Sequence, residues 1–454
     1  MVFSSVVFLF VFLPIVISVY FIANDTFKNI WLLMVSLLFY SWGEPKCIIL
    51  MLISIFVNYI LGIIINKTRD KKMSKVMLVF AVVVNIGILL YFKYFNFFIS
   101  NINRFLAIKI SAKNIALPVG ISFYTFQSMS YVIDVYRNNV RVQKNILKLG
   151  LYISFFPQLI AGPIVRYIDV EKYFDKRSID IDKIYDGVKS FAVGFSKKVL
   201  IADQLAVLVD TVFKQNGISA LIAWVGAVAY SLQIYYDFSG YSDMAIGLGK
   251  IFGFEFMNNF NYPYISRSVK DFWRRWHISL STWFKDYVYI PLGGSRCGKF
   301  RACLNLSIVF FLTGFWHGAS WNFIVWGLYY AVFLISERGG VLEKLPVVVR
   351  HIYTIIVIIF GWVLFRANGL KNASHYLRNM FRINDDMVVD LIFNINRKYL
   401  FLLIAGILFS MPIGKVFEKK AAGWLYDSIL IFVFIVAISY MMGSGFSPFL
   451  YFRF

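Results

Sequence analysis

The chain has 454 residues, of which 59% are hydrophobic and only 15% are charged. Soluble domains carry about 25% charged residues, so this composition excludes an ordinary water-soluble globule and makes the lipid bilayer part of the protein's solvent. The net charge of +22 does not indicate nucleic-acid binding, because the basic residues lie in short clusters between apolar runs, as in residues 67–75. Such clusters are typical of loops at a membrane surface.

The apolar runs continue almost to the end of the chain and predict an all-α polytopic membrane protein. Several runs are shorter than the roughly 17 to 25 residues of a full crossing, so some are expected to be re-entrant, tilted or half-spanning. We find no internal repeat or linker and predict one membrane-embedded domain over residues 1–454. The candidate spans are residues 5–23, 29–43, 48–66, 76–98, 117–133, 148–163, 186–213, 216–236, 239–254, 303–316, 321–336, 351–365, 399–414 and 428–443.

Polar residues inside three of these runs are candidates for lining a pathway. Tyr124 and Gln127 lie in LPVGISFYTFQSMSYVIDVYR, where polar groups at membrane depth must pair with each other or line a path for substrate. Gln158 lies in FFPQLIAGPIVRY, whose prolines and glycine predict either a re-entrant segment or an ordinary kink. Asp237 and Ser239 lie in YYDFSGYSD, which we interpret as a polar turn on the substrate side; a cation site or a plain loop fits the same residues.

Residues 268–295 combine aromatic residues at helical spacing with basic residues on the opposite face. This pattern predicts one amphipathic helix in the plane of the lipid headgroups, ended by the sequence PLGG. Trp276, His277 and Ser279 lie on it. His277 either anchors the helix at the interface or points into a cavity and binds substrate.

His317 stands alone in an apolar stretch, since no Asp, Glu, Lys or Arg occurs from Ala302 to Ser336. An ionisable group in such a stretch is a functional candidate, and desolvation keeps an imidazole neutral, as a general base requires. Gly318 permits close approach and Trp316 would form a wall of the site. The alternative is a turn at the membrane face with an interfacial histidine. His277 and His317 are too distant in sequence for a helical metal pair, so no metal site is predicted.

The ordered set of motifs resembles the bacterial membrane-bound O-acyltransferase (MBOAT) family, nearest to its alginate O-acetylation branch. The resemblance extends to the C-terminal SPFLYFRF, and its motifs are the three quoted above with FWRRWHISLSTWFKDYVYIPLGG, FLTGFWHGASWNFIVWG and GWVLFRA. It implies the MBOAT fold, with roughly eleven transmembrane helices plus re-entrant and interfacial helices around a central tunnel. The catalytic core would span about residues 110–370. In this family the histidine matching His317 is taken as catalytic, and the one matching His277 is the second implicated residue. The expected tunnel-lining residues are Trp316, Gly318, Trp276, Ser279, Gln127, Tyr124, Gln158, Asp237 and Ser239.

The resemblance also implies the reaction, its partners and its location. An acyl group, expected to be acetyl, would pass from a cytoplasmic thioester such as acetyl-CoA across the bacterial plasma membrane for O-acetylation of an exported polysaccharide. The expected partners are that donor, an external acetyl-transfer protein of the SGNH-hydrolase type, the polysaccharide and the bilayer, with no bound cofactor. Two alternatives stay open: D-alanyl transfer to teichoic acid from a carrier-protein thioester, and, in a different class, a transporter or channel.

Overall fold

The computed structural model describes residues 1–69, 71–215, 217–382 and 397–443. Within these ranges the chain folds into helices and contains no strand, as the apolar runs predict. The chain divides into two compact units. One comprises Met1–Phe191 with Met244–Met257, and the other comprises Ala192–Asp243 with Asn258–Phe454. The C-terminal motif of the family resemblance, at residues 447–454, lies outside the described residues.

The first unit is built mainly from apolar helices. Asn58 and Asn85, both buried, exchange side-chain amide hydrogen bonds of 3.1 and 2.8 Å between two of these helices. Such reciprocal amide pairs hold helices together where no water competes for the polar atoms. The helices are Phe8–Phe12, Leu13–Ile22, Asp25–Gly43, Ile48–Lys67, Lys72–Leu89, Leu90–Tyr94, Phe95–Leu106, Ile121–Tyr136, Ile146–Ser154, Phe156–Leu159, Tyr167–Val170 and Glu171–Phe174, with Ile181–Ser196 ending in the second unit.

The helix Ile121–Tyr136 lies at the centre of the first unit, because almost every one of its residues is buried. A helix that is enclosed on all sides has to satisfy its own polar side chains within the protein. The following run breaks as its prolines predict: Ile146–Ser154 ends, Phe155 turns, and the single turn Phe156–Leu159 follows. The predicted interruption of this run is therefore confirmed.

The second unit carries the remaining helices, and its longest element corrects the sequence analysis. Residues 216–236 and 239–254 were expected as two spans with a polar turn at Asp237, but Ala220–Ile251 is one continuous helix through that position. The further helices are Lys197–Ala202, Asp203–Lys214, Pro263–Ile265, Val269–Arg275, Ile278–Phe284, Lys285–Tyr289, Lys299–His317, Trp321–Glu337, Leu342–Lys344, Val347–Arg366, Leu370–Asn379, Arg397–Phe409, Ile413–Lys420 and Gly423–Gly443.

Five helices of the described residues are long and apolar enough to cross a bilayer, or six if one bent pair counts as a single span. This number is smaller than the roughly eleven spans expected from the resemblance. Helices such as Trp321–Glu337, with 17 residues, are too short for that test, so their crossing stays a prediction. The five are Ile48–Lys67, Lys72–Leu106, Lys299–His317, Val347–Arg366 and Gly423–Gly443, and the bent pair is Arg397–Phe409 with Ile413–Lys420.

Candidate active site

His277 lies at a break in the chain, so the prediction of one amphipathic helix over residues 268–295 is wrong. Val269–Arg275 ends before it, and Ile278–Phe284 begins directly after it. His277 itself adopts a left-handed backbone conformation, with φ of +45°. Such a conformation costs a residue with a side chain about 1–3 kcal/mol and persists only where the surrounding structure holds it. The strain therefore marks His277 as a residue that its neighbours fix in place.

The imidazole of His277 is almost fully buried, with 1% of the residue exposed. Its Nδ1 lies 3.2 Å from the Oδ1 of Asn259, and its ring meets the edge of Phe238 at 4.6 Å between ring centres. Burial lowers the pKa of His277 from 6.5 to about 3. The ring is therefore neutral at physiological pH and retains a lone pair for accepting a hydrogen bond or a proton.

His317 is the last residue of the helix Lys299–His317 and is 6% exposed. Three aromatic rings surround its imidazole: Trp316 at 4.9 Å, Trp326 at 5.2 Å and Phe365 at 5.2 Å between centres. All three meet it nearly edge to face, which is a favourable arrangement for aromatic rings. This environment is aromatic and shielded from solvent, as the apolar sequence around His317 predicts.

Glycines bring the backbone near His317 into close contact. A Cβ on Gly318 would lie 2.3 Å from the ring of Phe323, so that ring would have to shift to accommodate any other residue at this position. A Cβ on Gly314 would lie 2.2 Å from the carbonyl oxygen of the same Phe323. Lys299–His317 and the helix after it are thus packed backbone to backbone beside the imidazole.

Trp316 connects the two histidines. Its ring lies 6.1 Å from that of His277 and 4.9 Å from that of His317. Two side chains separated by 40 positions in sequence are therefore brought to one aromatic cluster of the second unit. Imidazoles in a water-poor site can accept or move a proton, which is the chemistry of general base catalysis.

Two further residues of the RRWHISLS motif belong to this cluster. Trp276 is buried and packs against the rings of Phe260, Phe272 and Trp362 at 5.0, 5.5 and 4.7 Å. Ser279 is fully buried, and its hydroxyl donates a 2.9 Å hydrogen bond to Asn259 Oδ1. Their role as tunnel-lining residues stays a prediction.

Asp237 lies in the interior of the helix Ala220–Ile251 and forms a buried ion pair. Its carboxylate is 2.7 Å from the ammonium of Lys198, which is also 2.5 Å from Asp203. The substrate-side turn is thus replaced by a charged helix contact, while Ser239 lies buried on the same helix.

The other three candidates, Tyr124, Gln127 and Gln158, lie buried in the first unit. Gln158 Nε2 donates a 2.6 Å hydrogen bond to the carbonyl oxygen of Tyr152. The side-chain amide of Gln127 has no hydrogen-bond partner among the described residues. A wholly buried amide without a protein partner is expected to meet water or a ligand. Pathway lining by these residues stays a prediction.

Sequence reasoning missed several residues that shape the cluster. Asn259 carried no periodic or motif signal that distinguished it, whereas Ser242 lies in the YYDFSGYSD motif but was not proposed as a site residue. Lys198 did carry one, because a lysine pair interrupts the apolar run 186–213. In the described parts of the chain, no group of three or more His, Cys, Asp or Glu side chains could hold a metal ion.

A membrane-embedded helical protein with two buried imidazoles in one aromatic cluster has the features of a membrane acyl-transfer enzyme. The sequence profile of the membrane-bound O-acyltransferase family matches residues 39–372, which include both histidines. The chain belongs to this family and is a membrane-bound acyltransferase.

Named relatives agree with this membership, two of them over the whole chain. A Pseudomonas putida protein named "Probable alginate O-acetylase AlgI" is 38% identical, and the alignment covers 100% of both chains. A Helicobacter pylori peptidoglycan O-acetyltransferase is 33% identical over 100% of this chain and 97% of its own. A Bacillus subtilis teichoic acid D-alanyltransferase is more distant, at 32% identity over 49% of this chain and 59% of its own.

Proposed function

We propose that this chain is an O-acetyltransferase that transfers acetyl groups from a cytoplasmic thioester for the O-acetylation of an exported polysaccharide. Two full-length relatives carry names of polysaccharide acetylation, one for alginate and one for peptidoglycan. The observation that carries the proposal is the pairing of two buried imidazoles through Trp316.

In the proposed reaction, His317 acts as the general base. A hydroxyl of the acceptor attacks the thioester carbonyl carbon while its proton passes to the His317 imidazole. The C–O bond forms, the tetrahedral oxyanion collapses, and the C–S bond breaks. The imidazolium then returns its proton to the thiolate, so that an ester and a thiol leave. Holding both substrates in one site lowers the entropic barrier to their encounter.

The donor, partners and location belong to the same proposal. Acetyl-CoA or another acyl thioester supplies the acetyl group, and the reaction needs no bound cofactor. An external protein of the SGNH-hydrolase type and a polysaccharide receive the acetyl group. The protein resides in the bacterial plasma membrane as a multi-pass protein, a location supported by the five helices of the described ranges that are long and apolar enough to span it.

The test is the acetyl content of the exported polymer in cells that carry wild type, His317→Ala or His277→Ala. We expect both variants to be present in the membrane at wild-type level and to lose most of the polymer acetyl. His375→Ala is the matched control, because His375 is exposed on the helix Leu370–Asn379 and lies outside the aromatic cluster. Full acetylation by His317→Ala would remove the catalytic assignment.

D-alanyl transfer to teichoic acid remains the second candidate, because a D-alanyltransferase aligns with half of the chain. Purified protein offered acetyl-CoA in one reaction and a D-alanyl carrier-protein thioester in another distinguishes the two. Consumption of acetyl-CoA that depends on His317 supports acetylation. If only the D-alanyl thioester is consumed, D-alanyl transfer replaces acetylation as the proposed function.

A further inference from the structure

Asn259 forms hydrogen bonds to His277, Ile278 and Ser279, and we call this set of contacts the Asn259 bracket. Its Oδ1 lies 3.2 Å from His277 Nδ1, 3.2 Å from the backbone N of Ser279 and 2.9 Å from Ser279 Oγ. Its backbone carbonyl oxygen accepts the N–H of Ile278 at 3.0 Å. Its Nδ2 donates to Ser242 Oγ at 3.1 Å. Asn259 thus satisfies amides at the start of the helix Ile278–Phe284, as a helix cap does, although it lies 18 residues before His277.

These contacts fix the orientation of the amide and, through it, the tautomer of His277. The backbone N–H of Ser279 can only donate, so the atom of Asn259 facing it must be the carbonyl oxygen. The same oxygen faces His277 Nδ1, which must therefore carry the ring proton and donate it. Nε2 then has the lone pair, and it has no hydrogen-bond partner among the described residues.

The free nitrogen of His277 can therefore only accept a hydrogen bond. The carbonyl oxygen of a thioester and the oxyanion formed from it are both acceptors, so neither can pair with Nε2. A hydroxyl can, because it donates. Polysaccharides carry neighbouring hydroxyls, one of which can bind Nε2 while another loses its proton to His317.

We propose that Asn259 is a positioning residue that holds His277 with its lone pair on Nε2, so that His277 receives a hydroxyl of the acceptor rather than the acyl donor. This inference rests on the proposed acetyl transfer. Asn259 acts through His277 and touches no substrate itself. The left-handed backbone of His277 is held by the same bracket, which explains why a strained residue persists there.

The groups around the ring allow a pH test of this role. The described contacts of His277 are uncharged: Asn259, Ser279, Phe238 and Trp316. Six charged side chains on the neighbouring segments are engaged in ion pairs, namely Asp237 with Lys198, Asp243 with Lys197 and Arg275 with Asp271. Lys270, Arg274 and Lys285 on the adjoining helices are exposed. A carboxylate placed at position 259 would be the nearest charge and would stabilise the imidazolium.

The test uses the full-length protein in lipid nanodiscs, with acetyl-CoA as donor and an alginate oligosaccharide as acceptor probe. We expect Asn259→Ala to raise the KM for the oligosaccharide and to lower kcat at least tenfold, with the KM for acetyl-CoA unchanged. Asn259→Asp keeps the accepting oxygen, so we expect it to recover most of the lost kcat above neutral pH. The acid limb of the pH–rate profile of Asn259→Asp should lie about one to three pH units higher than that of wild type.

Asn372→Ala is the matched control, since Asn372 is exposed in the same unit and bonds only locally to the carbonyl oxygen of Asn368. Wild-type kinetics for Asn259→Ala, while His277→Ala and His317→Ala are inactive, would overturn the inference and leave the proposed function intact. A rise in the KM for acetyl-CoA alone would overturn it as well. If Asn259→Ala does not fold, a pH–rate profile of Asn259→Asp whose acid limb matches that of wild type would also overturn the inference. Retained transfer by His317→Ala would instead refute the proposed function.

Discussion

Substitution of Gly314 by alanine tests how closely the helix Lys299–His317 must pack against the helix that follows it. The added Cβ would lie 2.2 Å from the carbonyl oxygen of Phe323 and 3.2 Å from the Cα of Gly327. Both are backbone atoms, so no side chain can turn away. An ordinary contact begins near 3.4 Å, and the two helices must therefore separate locally by about 1.2 Å. Overpacking of this kind costs about 1–3 kcal/mol of folding free energy.

The same displacement acts on His317, which lies three residues further along the helix. A 1 Å misplacement of a catalytic group can cost about a hundredfold in rate, so we expect Gly314→Ala to reduce acetyl transfer by about that factor. Thermal unfolding in detergent and acetyl transfer by the purified protein measure the two effects. Gly87→Ala is the control, because a Cβ on Gly87 meets nothing within 4 Å. Unchanged activity and unfolding temperature in Gly314→Ala would refute the reasoning.

Two further outcomes concern buried charge. Lys198→Met should lower the free energy of unfolding by about 3–5 kcal/mol, because it leaves two buried carboxylates without their cation. Lys197→Met removes a more exposed ion pair and should lower the same free energy by only about 0–1 kcal/mol. Equal losses for the two variants in thermal unfolding would contradict this contrast. Burial lowers the pKa of folded His277 to about 3, so below pH about 6.5 the unfolded chain binds a proton that the folded chain does not. The unfolding temperature of wild type should therefore fall relative to that of His277→Gln as the pH is lowered from 7 to 5. A difference between the two unfolding temperatures that does not change with pH would show that the pKa of His277 is the same in the folded and the unfolded chain.

The helical architecture could be predicted because the sequence is apolar over long stretches, but two local expectations failed for tertiary reasons. YYDFSGYSD contains Gly and Ser residues that usually indicate a turn, yet it continues as helix. Gly240 lets the carbonyl oxygen of Gly194 approach to 2.7 Å from where a Cβ would stand, and the aspartates on either side find lysine partners. A turn signal in sequence carries no information about a partner 46 residues away.

The break at His277 was missed for the opposite reason. The aromatic spacing of residues 268–295 matches one helix, and histidine does not usually adopt positive φ. The residue that permits the break is Asn259, whose carbonyl and amide oxygens replace the helical partners of Ile278 and Ser279. The apolar surroundings of His317 could be predicted from the sequence, and the catalytic roles of His277 and His317 stay predictions. The contacts of His277 with Asn259 and the tryptophan shared by the two histidines could not be predicted, since both depend on residues distant in sequence.

The seven residues from Asp237 to Asp243 join the ion pairs to the imidazole. Successive helical residues rotate by about 100°, so positions 237, 240 and 243 share one face and positions 238 and 242 share the opposite one. The first face carries both aspartates paired with lysines and the glycine pressed against Gly194. The second face presents Phe238 to the ring of His277 and Ser242 to Asn259. Because two successive turns of one helix bear both sets of contacts, the buried ion pairs fix the surface against which the strained histidine is held.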